Sequence, residues 1–199
     1  MEQIKRILHE VKEFKVAAVL TPLFMLLEVF CETLIPYLMS SIIDDGVEAG
    51  NMQHIFIVGL LMIVVAGVGL FGGIAGGVFG AKASTGLARN LRESMFNHIQ
   101  TFSFSNIDRF STAGLVTRLT TDVTNVQNSF QMCLRMAMRA PASLVCALVM
   151  AFSINAKISM VYLVAVILLA IVLFFIIRRA TATFKEAFPK YDALNASVQ

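Results

Sequence analysis

Glu28 and Glu32 stand four residues apart inside an apolar run, so on a helix they share one face. An ionised carboxylate in hydrocarbon costs at least about 2–3 kcal/mol, so that face must meet water, other helices or a basic group. Two readings follow. The pair is an acidic patch in a cavity that favours cationic or amphipathic cargo, or it is solvated near the outer leaflet or paired with a base elsewhere. Two carboxylates also serve glycoside hydrolysis, but nothing else here resembles a sugar cleft. Arg135 and Arg139 repeat the four-residue spacing near the inner end of a later apolar run. They either snorkel to headgroups or line the inner mouth of a cavity. Cys31, Cys133 and Cys146 lie in or near apolar segments with no CxxC or Cys/His spacing, so they read as packing residues. His9, His54 and His98 are isolated. No nucleophile–base or metal constellation supports an intramembrane enzyme.

The elements that must hold these residues are membrane helices. Of 199 residues, 57% are hydrophobic and 15% charged, with a mean hydropathy of +0.77. A water-soluble domain of this size could not hide that much apolar surface. Runs long enough for a hydrocarbon core of about 30 Å fall at 16–43, 55–81, 132–152 and 158–177. The first run is too long for a cleavable signal and lacks a small-residue cleavage site. Of the 16 Lys and Arg residues, only Lys157 falls on one side of this topology. The positive-inside rule places both termini of the segment in the cytoplasm. The net charge of +3 reports that leaflet preference. Interleaved basic and aromatic residues, the mark of a nucleic-acid partner, are absent.

Residues 1–15 carry Ile4, Ile7, Leu8 and Val11 on one face and charges on the other, which predicts an amphipathic helix in the inner interface. The second span holds two interleaved glycine tracks: Gly69, Gly73 and Gly77, and Gly72, Gly76 and Gly80. Such spacing lets helix backbones approach closely, or lets the helix bend. Beyond Ala81 helical spacing persists through Leu87, Leu91, Met95 and Ile99 into a polar stretch. A turn follows, with Ser105 or Asn106 able to cap a short helix and Gly114 able to relax the reversal. The returning helix shows Leu115, Leu119, Val123, Val126 and Phe130 in one stripe. Residues 82–131 therefore read as a helical hairpin in water, its stripe packed on the descending arm.

The segment FSFSNIDRFSTAGLVTRLTTDVTNVQ resembles the first intracellular loop of ABC exporters of the multidrug type, whose members show an L-x-x-R-L-T-x-D-V-like run. IPYLMSSIIDDGV and AFSINAKISM are similar to two further family segments. The resemblance covers essentially the whole chain. It implies an all-α, polytopic integral membrane protein with long helices extending into the cytoplasm: part of a six-helix exporter membrane domain, in a bacterial cytoplasmic membrane. It implies that Asn106, Ile107, Asp108, Arg109 and Phe110 form a coupling helix that docks on a nucleotide-binding domain. ATP and Mg would serve the complete transporter, and no cofactor is expected in this segment. The implied partners are the bilayer, the nucleotide-binding domain and a second transporter half, in a homodimer or heterodimer. The cargo would be a small molecule, a lipid or a peptide. The chain departs from the family pattern in having four spans and no GxxxxGK[ST] loop. The helix opening at 178–199 reads as the start of a second intracellular arm, so a fragment of a longer protein is expected, with no catalytic residues of its own. The alternative is a membrane scaffold that docks a cytoplasmic partner through the same hairpin without transporting.

Overall fold

A computed structural model describes residues 7–102 and 111–198, with side chains described as far as Thr181. All of its regular structure among the described residues is helical. Helix α1 spans Lys15–Ser41 and α2 spans Met52–Gln100. Helix α3 (Thr112–Thr117) leads through a wide π-helical turn, Arg118–Asp122, into α4 (Val123–Ile154). Helix α5 spans Ala156–Val198. The chain divides into two compact units, Met1–Ala147 and Leu148–Gln199.

In the first unit the chain enters α1 through a sharp bend. Residues 7–9 are helical and Glu10–Val11 form a turn, so the amphipathic helix does not run unbroken to residue 15. Lys12 takes a φ of 40°, a left-handed conformation uncommon for a residue with a Cβ, and Lys12–Phe14 make one 3₁₀ turn. That bend is pinned from α2. The Asn90 side-chain amide donates to the Glu10 carbonyl at 2.9 Å, and the Phe14 ring fills the space that a Cβ on Gly86 would occupy. Asn90 is 4% exposed, and Asn90→Leu would leave the part-buried Glu10 carbonyl unpaired. We expect that change to lower stability by about 1–3 kcal/mol, read as a shift in the thermal unfolding midpoint in detergent.

Helix α1 remains helical through Pro22 and Pro36, then widens into a π-helical segment, Ile42–Glu48, before a short turn. Asn51 caps α2, its side chain accepting from His54 N–H at 3.1 Å, and His54 Nε2 lies 3.0 Å from Ser41 Oγ. The C-terminal end of α1 and the N-terminal end of α2 are tied there. Helix α2 has 49 residues, about 74 Å at 1.5 Å per residue, more than twice the hydrocarbon thickness. Its most buried stretch is Ala83–Asn90, just past the apolar run. The apolar run itself is largely open: Phe56, Ile63 and Leu70 are each two-thirds exposed or more. Lipid tails are as apolar as leucine, so membrane helices need not hide such residues from each other.

The second unit holds the end of α4, a turn at Asn155 and α5. The Asn155 side-chain oxygen accepts from the N–H groups of Lys157 and Ile158 at 3.0 and 3.3 Å, which caps α5. From Val161 to Ile177 most large apolar side chains are half exposed or more.

Candidate functional site

The glycine tracks of α2 meet α1 in antiparallel order. A Cβ on Gly69 would touch Cys31, one on Gly72 the backbone of Phe24 and Glu28, one on Gly76 Met25 and Phe24, and one on Gly80 Thr21. Partners thus fall three or four residues apart along α1 as α2 advances, one helix turn at a time. Gly77 faces open space. Gly73 is different in kind: a Cβ there would lie 3.0 Å from Glu28 Oε1 and 3.2 Å from its carboxyl carbon. The Glu28 carboxylate lies in the notch that Gly73 leaves.

That notch lets Glu28 reach across to α4. Arg139 Nη1 donates to Glu28 Oε1 at 3.0 Å, and Nη2 donates to Glu32 Oε1 and Oε2 at 2.9 and 3.2 Å. One guanidinium therefore serves two carboxylates, in the forked geometry that arginine favours. Glu28 sits at the middle of α1, so Arg139 meets α1 at that helix's midpoint. The Glu28 side chain is 17% exposed and that of Glu32 53%. Glu28 Oε2 is buried with no hydrogen-bond partner among the described residues. Coulomb attraction in a low-dielectric slab is strong, and losing either sign would strand the other. In this conformation the acidic face carries its own counter-charge.

Beside the cluster is a cavity of about 520 Å³ lined by Met25 of α1 and by Asn128, Gln131, Met132, Arg135 and Arg139 of α4, with Met136. Flexible thioethers and a few polar groups make a surface that adapts to varied apolar shapes. Arg135 lines this space too, and its stem passes 3.9 Å from the position of a Gly80 Cβ. Both arginines thus face one cavity.

Past the membrane stretch, α2 and the α3–α4 rod form two arms. Leu115, Leu119, Val126 and Phe130 are half-buried and Val123 is 2% exposed, while most of their neighbours are open. The stripe has spacings of four, four, three and four. In an α-helix each step of four overshoots by about 40°, so two in succession would swing the stripe off its partner. The wide turn at Arg118–Asp122 falls between them and absorbs the excess. Ser111 precedes α3 with a φ of 53° and caps it. Gly114 donates its N–H to Ser111 Oγ at 3.2 Å in the first turn of α3. Asn106, Ile107, Asp108, Arg109 and Phe110 lie outside the described residues.

Comparison with known proteins decides what these arms belong to. The family described as ABC transporter transmembrane region matches residues 19–199. The chain belongs to that family. It is 31% identical over 196 residues to the uncharacterized ABC transporter ATP-binding protein YfiB of Bacillus subtilis, covering 98% of this chain and 34% of that protein. It is 28% identical over 187 residues to an uncharacterized ABC transporter ATP-binding protein of Mycobacterium tuberculosis, covering 94% of this chain and 32% of the other. An ATP-dependent lipid A-core flippase of Pseudoalteromonas translucida is 26% identical over 176 residues, 88% of this chain and 30% of its own length. The chain spans about a third of the curated relatives it matches. It is part of an ABC exporter membrane domain, all-α and embedded in a bilayer through helices long and apolar enough to cross one.

The sequence missed the partner of Glu28 and Glu32. A usable signal was present: two carboxylates in the first apolar run and two guanidiniums in the third sum to zero, which intramembrane charges tend to do. Arg92 carried no signal of its own.

Proposed function

We propose that this chain is the membrane-spanning part of an ATP-driven ABC exporter of the multidrug type. It lines part of the cargo pathway and takes force from a nucleotide-binding domain through the hairpin of α2 and the α3–α4 rod. One observation carries the reading: in a chain of this family, α2 continues far beyond bilayer thickness and is seamed to a returning arm. A stiff pair of helices transmits displacement, and a loose loop would not. The coupling contacts are Asn106, Ile107, Asp108, Arg109 and Phe110, and the hairpin and both ends of the segment face the cytoplasm of a bacterial cell. ATP and Mg act in the nucleotide-binding domain, and a second transporter half completes the pathway.

The cargo is an amphiphile. The cavity's thioethers suit an apolar body, and similarity to proteins named ATP-dependent lipid A-core flippase supports a lipid-like one. Glu28 and Glu32, offset by Arg139, act first as structure. Inside-out vesicles carrying the complete transporter test this, with ethidium and a fluorescent phosphatidylglycerol as probes. ATP should drive movement of the phospholipid probe, and a variant unable to hydrolyse ATP should not. Intact hydrolysis with neither probe moved would contradict the reading.

A further inference from the structure

The arms of the hairpin are joined by more than their apolar stripe. Arg92, half-buried on α2, donates from Nε to the Leu119 carbonyl at 3.2 Å and from Nη2 to Thr124 Oγ1 at 3.1 Å. Thr124 Oγ1 in turn donates to the Thr120 carbonyl at 2.8 Å. Leu119 lies inside the wide turn and Thr124 just beyond it, so one planar guanidinium holds both ends of the irregular segment. Within that segment the Val123 N–H reaches back five residues to the Arg118 carbonyl. Such turns are intrinsically uncommon and persist where surrounding contacts hold them.

We infer that Arg92 is a positioning residue: it clips the wide turn at Arg118–Asp122 onto α2 and so fixes the register of the returning arm. Without it the turn can relax toward regular α-helix. The segment N-terminal to it would then rotate by about 100° for the residue absorbed, carrying Leu115 off the seam. The apolar stripe alone cannot prevent this, because apolar contact is non-directional. A forked donor to a main-chain carbonyl and a hydroxyl is directional. A lysine cannot replace it, since a single ammonium lacks the fork that spans two acceptors. Transmission of movement by the hairpin is the reading above, and the clip's share in that transmission rests on it.

Hydrogen exchange on the whole chain in lipid nanodiscs tests the clip directly. Arg92→Gln should raise exchange of the amides at 118–124 about tenfold while leaving the α1–α2 glycine seam unchanged. Arg92→Lys should give an intermediate rise. Thr124→Val should give part of the effect and add little to Arg92→Gln in the double variant, because both cut one network. Unchanged exchange at 118–124, a uniform rise across the chain, or full additivity would overturn the clip. In the complete transporter, Arg92→Gln should move at least about fivefold less phospholipid probe per ATP hydrolysed. An exchange effect with that ratio unchanged would overturn the clip's share in coupling. Failure of the unaltered transporter to move the probe at all would instead overturn the functional reading.

Discussion

Replacing Arg139 by leucine should lower the stability of the membrane domain by about 3 kcal/mol, because two carboxylates lose their shared counter-charge. The larger part falls on Glu28, whose side chain is 17% exposed and already has one orphaned oxygen. Glu32 is about half exposed and can rehydrate, which keeps the figure near the low end for broken buried pairs. Removing all three charges together, as Glu28→Gln, Glu32→Gln and Arg139→Gln, should cost much less than Arg139→Leu alone. Thermal unfolding in detergent and the fraction of correctly inserted protein read both. A single variant no less stable than the triple would show that the cluster is not the structural tie described here. The pairing also bears on cargo. The same triple variant should leave ethidium movement unchanged, because the carboxylates are spent on Arg139.

A glycine comparison gives the second large effect. A Cβ at Gly72 would stand 3.2 Å from the Phe24 carbonyl and 3.3 Å from the Glu28 amide, and main-chain atoms cannot swing aside. Gly72→Leu should therefore force α1 and α2 apart and cost about 3 kcal/mol, the upper range for overpacking. It should also pull Glu28 from Arg139, since both contacts are made along the same stretch of α1. Gly77→Ala should do the opposite. Nothing lies within 4 Å of a Cβ there, so the change should stabilise the helix by about 0.5–1 kcal/mol. Unfolding midpoints of the two variants moving in the same direction would contradict the assignment of faces.

Much of the fold was legible because bilayer and helix periods leave plain marks. Apolar runs of the right length gave the spans, and continued spacing through Leu87, Leu91, Met95 and Ile99 gave the extended arm. The stripe from Leu115 to Phe130 contained Val123, which is buried, and four half-buried residues of the returning arm. What stayed hidden depends on rotation and depth. Two interleaved glycine tracks look alike in sequence, and only helix rotation decides that Gly72, Gly76 and Gly80 face α1 while Gly77 does not. That Arg139 meets Glu28 and Glu32 follows from where α4 passes α1, which no local pattern states. The bend at Lys12 and the entry to α3 at Ser111 use positive φ at residues other than glycine, so the usual sequence marker was missing. The wide turn left only a faint trace, two successive steps of four.

The most direct measurement of the central claim is disulfide or short-linker crosslinking from Asp108→Cys to a cysteine on the nucleotide-binding domain of the complete transporter. The account predicts a crosslink whose yield changes between nucleotide-free and ATP-bound states, because the hairpin seats on that domain and moves with it. No crosslink in any nucleotide state, with the protein folded and the cysteine reactive to a small maleimide, would contradict it.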